Sequence, residues 1–380
     1  MLKQLESSIM VNTTLPLTDI TIVIPTYGRP RFVLRTLKYF NTTGIQVIVM
    51  DGSRFPISNE DLQGLNPNII YHHSSKSFEE RLAIAGNMVK TKYVAMLGDD
   101  EFFSISGLLK CKTELDNDPE LVACTGTALA FHFNEDKVEF TNIYDDWLTK
   151  GNVNQEDSFS RMYFHSSNAV SAICYSLVRT EVWEKAFRIT SCNPNGIVFL
   201  TEIYFELAVC YQGKTKVIED LYWFRSHENT PLWQSEPVVA LRKWLHDPRY
   251  FLQRKLYLNA FFDTLVRFEN GLSKKNFKLC LVKALELNAK RASTLKFEAD
   301  YLGVRFIEKI SLLVYYLVPA PWVVLFKAKG SSKENSRSKE KGCIFDPADP
   351  LDPNFEKYST EITQIRTLVE HFHRDGNLKQ

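Results

Sequence analysis

The 380-residue sequence predicts an α/β fold with a mainly parallel central sheet and helices on both faces, followed by a helical C-terminal region. Three observations predict it. Short β-branched runs alternate with segments of helical periodicity over the first hundred residues. The runs are continuous, as in strands buried on both faces, and two of them end in acidic residues, where open α/β sheets bind their ligands.

Residues 20–25 (ITIVIP) read as the first strand. The turn Thr26-Tyr27-Gly28-Arg29-Pro30 follows, and Phe32, Val33, Leu34, Leu37 and Phe40 then recur at helical spacing before Gly44. Residues 46–50 (QVIVM) form a second strand ending at Asp51-Gly52-Ser53, and 68–71 (NIIY) a third. In 77–89 (SFEERLAIAGNMV), Ser77 and Glu80 have capping-box spacing ahead of Leu82, Ala85, Met88 and Val89, so this is a helix. A fourth strand, 92–97 (KYVAML), runs straight into Gly98-Asp99-Asp100-Glu101. A helix over 107–117 and a strand-like stretch over 121–133 come next, before a less regular region around 142–160. Helices at 182–187 and 201–212 and a strand at 216–224 follow. From 233 to about 326 the pattern is almost wholly helical, 330–341 (GSSKENSRSKEK) is a polar linker, and 355–372 is a short amphipathic helix. The implied units are a tail (1–18), an α/β domain (19–232, with halves 19–103 and 104–232), a helical region (233–329), the linker (330–345) and a terminal helix (346–380).

Hydrophobic residues at 44% and charged residues at 24% describe a folded chain, and a net charge of +1 argues neither for nor against nucleic acid. The seven cysteines, at 111, 124, 174, 192, 210, 280 and 343, include no close pair of the zinc-knuckle or redox kind and suggest reduced thiols. The first residues lack the apolar core and cleavage site of a signal peptide, which sets the expectation of a cytoplasmic protein. Residues 310–326 (ISLLVYYLVPAPWVVLF) are slightly short for a span and carry Pro319 and Pro321. They read first as a buried helix broken at the prolines, second as an interfacial segment, third as a true span. Residues 254–341 hold 18 Lys/Arg against 8 Asp/Glu, a surplus that could hold the chain to an anionic leaflet or could be a solvated basic face.

Carboxylates placed side by side raise each other's pKa unless a cation intervenes. Asp99 and Asp100 are hard oxygen donors of the kind Mg²⁺ or Mn²⁺ takes, although acidic pairs at strand ends are also common as solvated turns or caps.

TIVIPTYGRPRFVLRTLKYF, VIVMDGS, the helix bearing Arg81, and YVAMLGDDEF together resemble, in order and spacing, the nucleotide-binding half of family-2 glycosyltransferases; the likeness covers about residues 19–227. The resemblance implies a GT-A fold, a Rossmann-like sheet, and an inverting transfer of sugar from a nucleoside-diphosphate sugar to a hydroxyl acceptor, a glycan or glycoconjugate, assisted by Mn²⁺ or Mg²⁺. It implies nucleotide contacts from Pro25, Thr26, Tyr27, Arg29 and Pro30, base recognition by Asp51, a basic contact from Arg81, and ribose or metal binding by Asp99 and Asp100. Many members carry a further aspartate where this chain has Gly98, and Asp100 is the favoured metal ligand. FLTEIYFELAVCYQGK resembles the family's catalytic-base region, with Glu202 at the usual aspartate and Glu206 one turn on as second choice, while the family's arginine there is missing. A polar helix face is the bland reading of both glutamates. LYWFRSHENT resembles the element after the last strand and offers Arg225 to the diphosphate and His227 to the metal. The processive synthases' Q-x-x-R-W motif is absent, which favours single additions. The less regular region around 142–160 could form an acceptor-side loop.

Two rivals remain. A non-catalytic nucleotide-sugar or carbohydrate-binding protein could keep the fold without the chemistry. A sugar-nucleotidyltransferase would need a Gly-rich phosphate loop, and PTYGRPRF has one glycine and two prolines. No G-x-G-x-x-G supports a dinucleotide oxidoreductase, and no His pair at ligand spacing supports a zinc hydrolase.

Overall fold

The structure is a computed structural model that describes residues 17–143, 151–168, 172–192, 198–229, 241–266, 273–297, 344–345 and 355–377. Strands β1 (Ile20–Thr26), β2 (Gln46–Asp51), β3 (Ile69–His73) and β4 (Tyr93–Met96) form a parallel core in the order β3-β2-β1-β4. Helix α1 (Pro30–Phe40) joins β1 to β2, and α2 (Phe78–Met88) joins β3 to β4. The chain therefore steps away from β1 in opposite directions, and the crevice between the carboxyl ends of β1 and β4 is the topological switch point.

Beyond β4 the sheet becomes mixed. β8 (Leu177–Arg179) pairs antiparallel to β4, β6 (Leu121–Asn134) antiparallel to β8, and β7 (Lys137–Ile143) antiparallel to β6, with β10 (Ile344–Phe345) at the edge. β9 (Lys214–Ser226) lies parallel to the other side of β6 and also pairs with the two-residue β5 (Phe102–Phe103). Irregularities in the β6–β9 register at Leu121–Thr127 mark where this long pair bends.

Strand alternation splits the core in two. Ile20, Ile22, Ile24, Val47 and Val49 face a cluster built with α1, α3 (Ile105–Asn117) and α10 (Phe355–Asn377). Val23, Ile48 and Met50 face a second cluster with α2, α5 (Thr180–Thr190), α6 (Val198–Gln212), α7 (Leu241–His246), α8 (Phe251–Phe261) and α9 (Lys274–Phe297). Helix α4 (Ser158–Asn168) adds Met162 to the second. The helical region joins through stacked rings, Tyr204 on Tyr257 at 4.5 Å and 16°. The terminal helix α10 inserts Tyr358, Ile362, Ile365 and Val369 into the first cluster.

The expected strands and helices through 133 are present with ends shifted by a few residues. Ser77 caps α2 with a reciprocal capping box to Glu80. The pattern reading left out hairpin strand β7, and α10 runs five residues further than the amphipathic stretch suggested. Residues 144–150 of the irregular region, the apolar stretch 310–326 and the linker 330–341 lie outside the described residues, as does most of the tail 1–18. No described helix is long and apolar enough to cross a membrane. The six cysteines other than Cys343 are free thiols.

Candidate active site

The switch-point crevice holds four sequence-predicted residues in direct contact. Gly28 takes φ +68° in the turn after β1, a conformation that favours glycine, and its N–H donates to Ser53 Oγ at 2.7 Å. Arg29 is the residue before α1, and its guanidinium bridges the acidic pair, with Nη2 2.6 Å from Asp99 Oδ1 and Nη1 3.4 Å from Asp100 Oδ2. Thr26 donates to Asp99 Oδ2 at 2.7 Å. Burial pushes the Asp99 carboxyl up to about 6, Arg29 opposes that rise, and Asp100 adds to it. The turn itself is pinned by its carbonyls, since Thr36 Oγ1 donates to Asp99 O and Arg35 Nη2 to Asp100 O, both at 2.9 Å.

Asp51 and Arg81 are equally well placed but already engaged. Asp51 accepts from Ser53 N at 2.8 Å, an Asx turn, and from Tyr71 Oη at 2.5 Å. Arg81 is 5% exposed; its Nη1 donates to Thr26 O at 3.0 Å and to Met50 O, tying together the carboxyl ends of β1 and β2. Arg81 is thus a buried cation: burial lowers its pKa, and Asp51 and Glu79 offset part of that cost. Pro25 and Pro30 shape the turn, and Tyr27 stands 61% exposed at the rim.

The acidic turn contains a third carboxyl that pattern reading passed over. Glu101 folds back over Gly98, where a Cβ would lie 2.9 Å from its carboxyl carbon, and accepts from Trp223 Nε1 at 3.0 Å. A carboxyl group therefore occupies the space beside position 98 although the residue there is glycine. Burial first, and Asp100 second, push it up to about 8, while Arg225 pulls the other way. The indole of Trp223 stacks on Tyr175 at 4.6 Å and 18°. The Tyr175 hydroxyl is pushed well up by burial and then by Glu202, Cys174, Glu101 and Asp100, so Glu202 and the acidic turn lie within electrostatic reach of one ring.

The two glutamates of α6 differ sharply. Glu202 is half-buried, and burial and Glu206 push its carboxyl up to about 8. Glu206 is 1% exposed and accepts from His165 Nε2 at 2.9 Å and Ile173 N at 3.1 Å, with Cys174 Sγ at 3.6 Å. The reading of Glu206 as a solvated polar face is corrected: it is a buried acid whose oxygens are committed to structure. Sequence gave no sign of this, because its partners come from α4 and from the turn before β8.

Behind Asp100 lies a connection to the chain end. Asn229 Nδ2 donates to Asp100 Oδ2 at 2.6 Å. Its neighbour Glu228 pairs with Arg35 at 2.7 Å, both side chains nearly sealed, and with His373 of α10. His373 stacks on Phe133 at 4.2 Å and 8°. His227 is exposed, with its backbone N–H on Phe131 O at 2.8 Å, and Arg225 is half-buried with its guanidinium 5.8 Å from the Trp223 ring centroid.

Among the described residues no three His, Cys, Asp or Glu side chains gather into a metal-binding group, so Asp99, Asp100 and His227 do not form one shell. A divalent ion shared with a diphosphate needs only one or two carboxylates. Asp100, with 10% of its side chain exposed against none of Asp99, is the donor that fits that role.

No protein-family model matches the chain, and no curated protein matches it. Solved structures with a similar course include Staphylococcus aureus TarS 1–349 in complex with UDP-GlcNAc, at 12% identity and TM-score 0.48, covering 75% of this chain and 76% of that one. The same TarS fragment alone gives 10% identity and TM-score 0.40, covering 75% and 93%.

Proposed function

We propose that this protein is a glycosyltransferase that moves a sugar from a nucleoside-diphosphate sugar to a hydroxyl acceptor, with inversion at the anomeric carbon. The observation that carries the reading is the Arg29 bridge onto Asp99 and Asp100 at the switch-point crevice. A cation held by two acids at the mouth of an α/β sheet is suited to exchange one acid for a diphosphate.

The base and ribose would lie over β1 and β2, against the exposed Tyr27 ring and the Asp51 turn. Arg29 and Arg225 would offset charge on the departing diphosphate, and positioning of this kind supplies much of such a rate gain. Asp100 would hold Mg²⁺ or Mn²⁺, which when bound supplies further charge neutralisation at the diphosphate. Glu202 would take the acceptor proton, and a carboxyl whose pKa is raised toward the working pH is a stronger base than an ordinary one. The acceptor is then a glycan or glycoconjugate hydroxyl presented on the side of α6.

Thermal-shift titration with UDP, GDP, TDP and CMP, each with and without Mn²⁺, tests the donor half of this reading, because a ligand that binds only the native state raises apparent stability. Stabilisation by one nucleoside diphosphate, diminished in Asp100→Ala, is expected. No response to any nucleotide would overturn it.

A further inference from the structure

The α8–α9 surface carries large apolar side chains that face solvent. Phe251 is 63% exposed, Leu252 66%, Leu256 42%, and Leu279 on α9 61%. Positions 251, 252, 255, 256 and 259 share one side of α8, opposite the fully buried Tyr257 and Phe261. Lys278 Nζ of α9 donates to Asn259 Oδ1 at 2.6 Å, which brings that side of α8 up against the stretch of α9 where Lys275 and Leu279 are exposed. The exposed Phe and Leu side chains of the two helices, joined at that bond, are interleaved with Lys255, Lys275 and Lys278.

Charge discriminates among the things that could cover it. Over residues 250–283 the described acids amount to Asp263, which pairs with Lys274, against Arg254, Lys255, Lys274, Lys275, Lys278 and Lys283. The Lys278 ammonium is held below its ordinary value by burial and by Lys274 and Lys255, so positive charge is concentrated here. Residues 298–343, the next stretch of chain, carry eight Lys/Arg against five Asp/Glu and have the same sign. A second copy would likewise bring lysines onto lysines. A surface that is apolar at depth and anionic at its boundary complements both features.

We propose that this face docks on an anionic phospholipid bilayer, with Phe251, Leu252, Leu256 and Leu279 entering the headgroup boundary and Lys255, Lys275 and Lys278 meeting lipid phosphates. The inference does not depend on the transfer reaction. Docking would hold the crevice close to acceptors carried on the same membrane.

The test is co-sedimentation of the full chain with phosphatidylcholine vesicles, with and without phosphatidylglycerol. Binding to the anionic vesicles alone is expected, weakened at high salt and reduced about tenfold or more in Leu252→Glu/Leu279→Glu and in Lys255→Glu/Lys275→Glu. Both variants should keep the wild-type Tm, since the altered side chains face water. Failure of the wild type to sediment, or equal sedimentation of the variants, overturns the proposal. So does an oligomer in solution that the leucine variant dissociates, which would identify a second copy as the occupant. A fall in Tm in the leucine variant would identify cover by the chain's own residues and overturn it as well.

Discussion

Glu202 and Glu101 are carboxyls whose chemistry is strongly changed by their surroundings, and the change has a definite sign. Each carboxyl is raised from the ordinary 4.5 to about 8, chiefly by burial. If Glu202 removes the acceptor proton, only its ionised form is competent, so turnover should climb as pH rises through about 8; a profile flat from pH 6 upward contradicts that role. For Glu101 the consequence is stability. A raised folded pKa stabilises below the ordinary value and is lost as pH rises through about 8. Glu101→Gln keeps an acceptor for Trp223 and should flatten the decline in Tm between about pH 5 and 8. Arg29→Ala would leave Asp99 and Asp100 adjacent without their cation, and about a tenfold rise in donor KM is expected from the loss of one charge-assisted contact. At this scale the sequence was legible where residues sit at strand ends. The strand-end positions of Asp51, Asp99 and Asp100 follow from the β/α rhythm, whereas Arg29 enters only through the resemblance of the turn after β1. The role of Glu101 rests on the return of its side chain over Gly98, and that of Asn229 on a segment 129 residues away, neither of which leaves a local pattern.

The terminal helix α10 is the element whose place could not be read from its own sequence. Its amphipathic spacing announces a buried face, but the partner of that face is set by packing. Four of its residues complete the core beneath α1 and α3, and each fully buried aliphatic side chain contributes roughly 1.5–3 kcal/mol. A chain ending before Phe355 should therefore lose cooperative unfolding, as followed by circular dichroism. The link from His373 through Glu228 to Arg35 is buried at its centre, with Glu228 held below the ordinary carboxylate range; burial opposes this, and His373 and Arg35 prevail. Glu228→Ala leaves the Arg35 guanidinium sealed without its acid and should cost about 3–5 kcal/mol in denaturant unfolding. Because Asn229 follows Glu228, the same variant should lower kcat more than it raises donor KM.

For the molecule as a whole, one sheet organises everything described. Alternate residues of β1 and β2 feed two cores, α1 and α2 leave the sheet on opposite sides, and the crevice this creates holds Arg29, Asp99 and Asp100. The parallel half was legible because doubly buried strands read as continuous β-branched runs. The mixed half was less so, since β8 has three residues and β5 two, too few to show a period. The proposed glycosyl transfer in this crevice depends on Glu202 as the base. It is tested most directly by measuring turnover of the nucleotide-sugar selected by thermal shift, in wild type and in Glu202→Gln. A fall in kcat of about 10²–10⁴-fold at nearly unchanged donor KM and Tm is expected. A variant that turns over at close to the wild-type rate would contradict it.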